Sequence, residues 1–294
     1  MLTIQQLSQE LNLGVDTLRI WERRYGFPKP TRDSRGHRRY PVDQLDTLRT
    51  VCKLQELGHR PNKIFALSPD ERRNILDQTR EITHPELVKY EDLILSGSVA
   101  KIENKLRSYL TVNGLQDLIS KRIIPLTRIM GRHWIDGKLS IAREHMISDL
   151  LGDILKEQLL LPHKEEPEQT IIFLTLSGER HKLGLLMSAA LFHQLGINCL
   201  LIQEELPLME VPQLAIDTSS DAVALSFSSH YSLRQAKKDL ATLRNQLEPG
   251  IKIIAGGQAF QKPFHLPDVI LCSDINLIPE IHRKYFHKEE HLSS

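Results

Sequence analysis

The sequence has little of what several protein classes require. Three cysteines occur among 294 residues, Cys52, Cys199 and Cys272, and their wide separation argues against a zinc motif or a disulfide framework. No apolar run is long enough to cross a bilayer, and the opening MLTIQQLSQELN lacks the basic start and apolar centre of a signal peptide. We therefore expect a cytoplasmic protein with no membrane partner, whose cysteines are reduced core residues.

The net charge is also small, but the charged residues are unevenly distributed along the chain. The net charge is +1, with 40% hydrophobic and 26% charged residues, as in ordinary globular chains. A length of 294 residues predicts two or three domains. Between Thr17 and Tyr40, however, eight lysines and arginines face only Glu22 and Asp33. Such a run indicates either an anion-binding surface or a solvated basic face.

The order of elements around this run favours DNA binding. A helix capped by Thr3, a turn containing Asn12 and Gly14, and a second helix in GVDTLRIWERRYG predict a helix-turn-helix. The prolines of FPKPTRDSRGHRRY end the second helix, and its Arg35-Gly36 pair suits the turn of a basic hairpin. A helix-turn-helix followed by a basic wing is typical of proteins that bind duplex DNA.

The segment TLRIWERRYGFPKPTRDSRGHRRY resembles the DNA-binding domain of the MerR-type transcriptional regulators, over about residues 1–68. The resemblance implies double-stranded promoter DNA as a partner. The residues that it assigns to the recognition helix and the wing are Thr17, Arg19, Trp21, Arg23, Arg24, Arg35, His37, Arg38 and Tyr40.

The rest of the chain predicts two further domains. Residues 85–162 read as four amphipathic helices with short breaks, which indicates a four-helix bundle. Residues 168–288 alternate apolar runs such as TIIFLTL and DAVALSF with helical segments, which predicts a parallel sheet covered on both faces. The predicted fold class is thus multi-domain: an all-α winged helix-turn-helix head, a four-helix bundle and a Rossmann-like (flavodoxin-like) α/β domain.

One histidine stands at the end of the first predicted strand, in LSGERHKLGLL. Ligands of such sheets bind at the carboxyl ends of the strands. Here Gly184 and Ser226 are separated by 41 residues, and Ser228 and Gly256 by 27. This spacing resembles the cobalamin-binding domain, in which a histidine replaces the cofactor's own dimethylbenzimidazole as lower ligand of cobalt.

That resemblance makes His181 the metal ligand and Glu179 its hydrogen-bond partner, where the family usually has aspartate. It places the nucleotide tail of the cofactor in the sheet, past a serine on the third strand and a glycine pair after the fourth. At position 228, where this chain has serine, the family usually has an apolar residue. The cofactor-binding residues it implies here are Glu179, His181, Gly184, Ser226, Ser228, Gly256 and Gly257.

The predicted bundle contains WIDGKLSIAREH, in which nine residues separate Trp134 from Glu144, and His145 follows directly. This resembles the cap of the CarH-type light-sensing repressors, where tryptophan and glutamate enclose the adenosyl group of adenosylcobalamin. His145 is a further candidate ligand of the cobalt. In those repressors a histidine follows the tryptophan, whereas here Ile135 follows and His133 precedes it. A shift of one residue turns a helical side chain by about 100°.

We therefore expect a transcriptional regulator and not an enzyme: a repressor that binds DNA as a homo-oligomer, a dimer or tetramer, under the control of adenosylcobalamin and light. One alternative is a MerR-type regulator whose sensor is light-independent or binds another ligand. A second alternative is a cobalamin-dependent enzyme. It is less favoured because such enzymes need a substrate barrel or a further catalytic domain, and after the polar linker PHKEEPEQ (162–169) there is room only for the sheet.

Overall fold

A computed structural model describes residues 1–11, 13–56, 59–78, 85–228, 231–260 and 266–286. Asn12 of the predicted turn and residues 287 and 288 of the predicted sheet domain lie outside these ranges. The chain forms two compact units. The first joins Met1–Ile102 to Pro125–Ile147, and the second joins Glu103–Ile124 to Ser148–Ser294.

The N-terminal part of the first unit is helical with one short hairpin. Its helices are α1 (Ile4–Leu11), α2 (Val15–Tyr25), α3 (Gln44–Glu56), α4 (Pro61–Ala66) and α5 (Pro69–Gln78). The strands β1 (Thr31–Arg32) and β2 (Arg38–Arg39) pair antiparallel and form the predicted wing. Thr3 caps α1 as predicted: its Oγ1 accepts from the amide of Gln6 at 3.1 Å, and the Gln6 side chain accepts from the amide of Thr3 at 2.8 Å.

The central part of the chain contains the four predicted helical segments. They are α6 (Pro85–Leu95), α7 (Val99–Leu118), which continues through a π-helical turn (Ile119–Ile123) into α8 (Ile124–Ile135), and α9 (Ile141–Gln158). Gly114 interrupts α7 with φ of 81°, at the break that the sequence predicts. Because these helices contribute to both compact units, the bounds 85–162 of a separate bundle remain a prediction.

The second unit contains the predicted parallel sheet. Its strands are β3 (Thr170–Leu176), β4 (Asn198–Leu206), β5 (Ala222–Ser226), β6 (Lys252–Gly256) and β7 (Val269–Cys272). All pairs are parallel, and the strand order is β4-β3-β5-β6-β7. The helices between them are α10 (Leu183–Gln194), α11 (Val211–Asp217) and α12 (Leu233–Gln246), and α13 (Ile278–Tyr285) follows the last strand.

Alternate strand residues pack on the two faces of this sheet, which is why each strand is an unbroken apolar run. Ile172 and Val223 belong to a cluster that includes Ala236 and Leu240 of α12. On the opposite face, the ring of Phe173 lies 5.9 Å from that of Phe192 in α10. The order of strands reverses on either side of β3, so the loops after β3 and β5 flank the crevice where open sheets of this kind bind ligands.

Candidate functional site

Helix α2 presents arginines to solvent because its apolar residues face inward. Leu18 and Trp21 are buried, whereas Arg19, Arg23 and Arg24 are exposed. Helices α1 and α2 thereby form the predicted helix-turn-helix, with a cationic face on the second helix.

The wing is held in shape by Asp33. One carboxylate oxygen accepts from the amides of Arg35 at 3.0 Å and His37 at 2.9 Å, and the other accepts from Nε of Arg39 at 3.0 Å. The hydrogen bond from Arg39, followed by that from the His37 amide, lowers the pKa of Asp33. Gly36 provides the left-handed residue of the turn, with φ of 81°. The side chains of Arg35, His37 and Arg38 remain exposed.

Glu22 joins the wing to α2. Its carboxylate forms an ion pair with Nε of Arg38 at 3.2 Å and accepts a hydrogen bond from the hydroxyl of Tyr40 at 2.9 Å. Burial, and then the hydrogen bond to Glu22, raises the pKa of Tyr40 to about 12. The wing and the recognition helix are therefore connected through one carboxylate.

The prediction that Trp21 and Tyr40 lie on the surface is wrong. Trp21 is only 2% exposed, and its ring meets that of Phe65 edge-on at 5.4 Å. The side chain of Tyr40 is fully buried. Both have large apolar rings that gain more from burial in the head than from contact with water. They belong to the buried core of the head, whereas Arg19, Arg23 and Arg24 of α2 are exposed.

Of the remaining predicted residues of the head, Arg19, Arg23, His37 and Arg38 line one groove, whereas Thr17, Arg24 and Arg35 are not among its lining residues. Thr17 is half-buried at the edge of α2. This groove lies between α2 and the wing, and five arginines are among its lining residues. Its lining includes Thr3, Ile4, Asp16, Arg19, Ile20, Glu22, Arg23, Arg32, Gly36, His37, Arg38, Arg39 and Tyr40.

In the second unit, Glu179 connects the loops that follow β3 and β5. It is 1% exposed. Its Oε1 accepts from the amide of His181 at 2.8 Å and lies 3.0 Å from Nδ1 of the His181 ring, and its Oε2 accepts from the amide of Ser228 at 2.6 Å. The glutamate that stands where the family has aspartate therefore reaches the imidazole.

The same contacts keep this carboxylate ionised. Burial by itself would raise the pKa of Glu179, but the hydrogen bonds from His181 and Ser228 outweigh it, so the pKa lies below its ordinary value. An ionised carboxylate only accepts hydrogen bonds, so Nδ1 of His181 is the protonated nitrogen. In a neutral imidazole, the lone pair that can bind a metal is then on Nε2. The His181 side chain is 41% exposed.

The predicted glycines and serines surround the same ends of the strands. A Cβ on Gly256 would lie 2.9 Å from the carbonyl oxygen of Cys272. Gly257 has φ of +106°, and a Cβ there would collide with the carbonyl oxygen of Phe227. A Cβ on Gly184 would lie 3.4 Å from Oγ of Ser226. The protein's own packing thus requires Gly257, and Gly184 brings α10 close to the end of β5.

The predicted cap residues belong to the first unit. Trp134 is half-buried, packs against the core of the head and lies under the guanidinium of Arg49, 5.6 Å from the ring centre. Glu144 and His145 are paired, with Oε2 and Nδ1 2.7 Å apart. His133 is buried, with Nε2 2.6 Å from Oε1 of Glu91. His133 is therefore committed to a carboxylate within its own unit.

Three supporting residues were not predicted from the sequence: Glu22, Asp33 and Arg49. Asp33 carried a local signal, since an aspartate shortly before a glycine turn commonly accepts from the backbone of that turn. Glu22 and Arg49 act on residues distant in the chain, Tyr40 and Trp134, so no local pattern marks them.

Comparison with known proteins agrees with this arrangement. Residues 2–68 match the MerR HTH family of regulatory proteins, and residues 87–157 match the B12 binding domain. The HTH-type transcriptional repressor CarH of Myxococcus xanthus is 23% identical over 258 residues, which cover 83% of this chain and 85% of CarH. CarA, a repressor of the same organism, is 28% identical over 235 residues, 77% of this chain and 76% of CarA. MlrA, a regulator of Escherichia coli (strain K12), is 28% identical over 130 residues, 43% of this chain and 50% of MlrA.

The head, the helical region and the parallel sheet define a DNA-binding regulator with a cobalamin-binding module. The chain thus has one segment that matches the MerR HTH family and one that matches the B12 binding domain, and over most of its length it is similar to the repressors CarH and CarA. Among the residues that the structure describes, no helix is long and apolar enough to span a membrane.

Proposed function

We propose that this regulator is a repressor of promoter DNA controlled by adenosylcobalamin and by light, acting in the cytoplasm. The observation that carries the proposal is the pair formed by buried, ionised Glu179 and His181 at the carboxyl ends of the strands. The exposed arginines of α2 and the wing support the DNA-binding half. The relatives of longest coverage, CarH and CarA, are repressors, which supports a regulator and not an enzyme.

The residues present fit a cobalamin. Neutral imidazole is a good cobalt ligand, and a carboxylate on its other nitrogen is the usual partner of a metal-binding histidine. We propose His181 as the ligand through Nε2, with Glu179 orienting the ring. The remaining residues proposed to hold the nucleotide tail are Gly184, Ser226, Ser228, Gly256 and Gly257. For Trp134, Glu144 and His145 the proposed role toward the adenosyl group rests on their resemblance in sequence to the cap of the light-sensing repressors.

When bound, adenosylcobalamin supplies a cobalt–carbon bond that visible light breaks. What this chain contributes is a fixed histidine, a cationic head and, in our proposal, self-association into a dimer or tetramer. Several heads on one promoter bind far more tightly than one, by a factor of about 10²–10⁴. A change in assembly therefore alters repression without altering the head itself.

An absorption spectrum tests the cofactor. The purified protein is mixed with adenosylcobalamin in darkness, gel-filtered and then illuminated, beside a His181→Ala variant. We expect retained cofactor with a histidine-ligated spectrum in the wild type, its loss in the variant, and a spectral change on illumination. Cofactor that does not survive filtration of the wild type would refute the cobalamin part, and DNA binding would then be measured alone.

A second candidate is a cobalamin-responsive regulator that does not sense light. Two observations favour it: Trp134 lies against Arg49 of the head, and His133 is paired with Glu91. In addition, the residue after Trp134 is isoleucine. Promoter affinity measured in darkness and after illumination decides between the two candidates. Retained cofactor with unchanged affinity after illumination identifies the light-independent regulator.

A further inference from the structure

Helix α2 carries one apolar side chain on its exposed face. Ile20 is 41% exposed, although its chain neighbours Leu18 and Trp21 are buried at 0% and 2%. Successive helical residues are turned by about 100°, so Ile20 points away from the face that Leu18 and Trp21 bury. Within the described part of the chain, Ile20 does not join the hydrophobic cluster of the head.

Cationic side chains surround this isoleucine. Arg23 and Arg24 follow it by three and four residues, the spacing at which helical side chains are neighbours. Ile20 also lines the groove between α2 and the wing, together with Arg19 and Arg38. An apolar group in this setting fits a ligand that is strongly anionic around its edge and has an apolar group at its centre.

The major groove of DNA has that composition. Phosphates border it, and the apolar group that it offers to a recognition helix is the C5-methyl of thymine. Arginines can contact phosphates or guanine, but isoleucine has no hydrogen-bonding group and can only contact apolar surface. Since the first exposed turns of a recognition helix meet the base edges, a residue between Arg19 and Arg23 is placed to read a base.

We propose that Ile20 is a specificity-determining residue that reads a thymine methyl group in the operator. This inference rests on the proposed DNA-binding function and adds the base that one residue of α2 recognises. The surrounding arginines supply affinity that is largely independent of sequence, whereas Ile20 supplies discrimination between thymine and the other bases.

The test uses the full-length protein with adenosylcobalamin in darkness. Its operator is first selected from random duplexes, and each thymine of the operator is then replaced in turn by deoxyuridine, which lacks only the methyl group. We expect at least one replacement to weaken wild-type binding about fourfold, as expected for one buried methyl group. In Ile20→Ala, affinity for the unmodified operator should fall by at least as much. The deoxyuridine replacement that weakens wild-type binding should then cause no further loss in this variant.

Ile216→Ala is the matched control, because Ile216 is 50% exposed on α11 of the other unit. It should leave affinity and thymine dependence unchanged. The proposal is overturned if Ile20→Ala keeps the full deoxyuridine effect, or if no thymine in the wild-type operator responds. It is equally overturned if Ile20→Ala binds the operator normally but loses self-association, which would make this face a protein contact. If the wild type selects no duplex at all, the proposed DNA-binding function itself fails.

Discussion

The head and the sheet place their functional side chains by opposite means. In the head, the arginines proposed to meet DNA lie in solvent, and the groups that position them, Trp21, Tyr40 and Glu22, lie beneath or between them. In the sheet, the positioning group is a single buried carboxylate, Glu179, which fixes one histidine. Several exposed charges can substitute for one another on a polyanion, whereas a single metal ligand requires one fixed geometry.

Trp21→Ala should destabilise the head and leave the stability of the sheet unchanged. Removing a buried tryptophan leaves a large cavity, and we expect the free energy of unfolding of the head to fall by about 3–5 kcal/mol. Trp134 is then the remaining tryptophan and belongs to the same unit, so its fluorescence during urea unfolding reports the head.

Trp21→Phe is the control for that variant. It keeps an aromatic ring in the core and should retain most of the stability. Lost operator affinity in Trp21→Ala at an unchanged unfolding midpoint would instead make Trp21 a DNA contact, as its sequence context suggests.

Gly257→Ala should destabilise the sheet and leave the stability of the head unchanged. The positive φ of Gly257 alone costs about 1–3 kcal/mol for another residue, and the Cβ would also collide with Phe227. Urea unfolding followed by far-ultraviolet circular dichroism should show the loss, while tryptophan fluorescence of the head stays the same. Gly250→Ala is the matched control, since a Cβ there meets open space. Equal stability of the two variants would contradict the close approach at Gly257.

Glu179→Gln tests whether the buried carboxylate at the sheet site stabilises the fold. The amide cannot satisfy all three donors that face the carboxylate, so we expect a loss of about 1–3 kcal/mol at neutral pH. The pKa of Glu179 is lower in the folded protein than its ordinary 4.5, so its ionisation stabilises the fold above pH 4.5. That contribution disappears as the pH falls from 4.5 through the lower folded value.

The difference in unfolding free energy between wild type and Glu179→Gln should therefore shrink in acid. Urea unfolding at a series of pH values from 7 to 3 measures it. Glu210→Gln, at an exposed position, should show no such difference at any pH. A difference for Glu179→Gln that grows in acid would mean that Glu179 is not a stabilising anion.

Arg35→Gln tests the interchangeable charges of the head and has the smallest expected effect on stability. Arg35 is exposed at the tip of the wing, so unfolding should change by less than about 0.5 kcal/mol. If Arg35 contacts a phosphate, the slope of log affinity against log salt should fall by about one. Arg283→Gln, an exposed position on α13, should leave the salt slope as it is. An unchanged slope in Arg35→Gln would remove Arg35 from the phosphate contacts.

Several features of the fold follow directly from the sequence. The apolar runs of 170–176, 197–203, 221–227, 251–257 and 268–273 predict the five strands, and each strand is present with its ends shifted by at most three residues. The turn at Gly36, the cap at Thr3 and the break at Gly114 are equally local. Each depends on residues a few positions apart, so the pattern carries the information.

The error at Trp21 has the opposite origin. Trp21 lies among arginines in the sequence, and a polar, aromatic, basic helix face is typical of DNA contact. Whether its ring points to solvent depends on Phe65 and on the packing of α4, which are remote in the chain. The local pattern therefore gave the type of element correctly and the direction of the side chain wrongly.

The sequence by itself determined the order of elements, the basic segment of the head and the histidine after the first strand of the sheet. These depend on local propensity, on apolar periodicity and on spacing, all of which are properties of neighbouring residues. Only the tertiary structure decided that Glu179 reaches both His181 and the amide of Ser228, that Glu22 links the wing to α2, and that Ile20 is exposed while Trp21 is not. Burial and long-range hydrogen bonds depend on which segments meet in space, and no local pattern specifies that meeting.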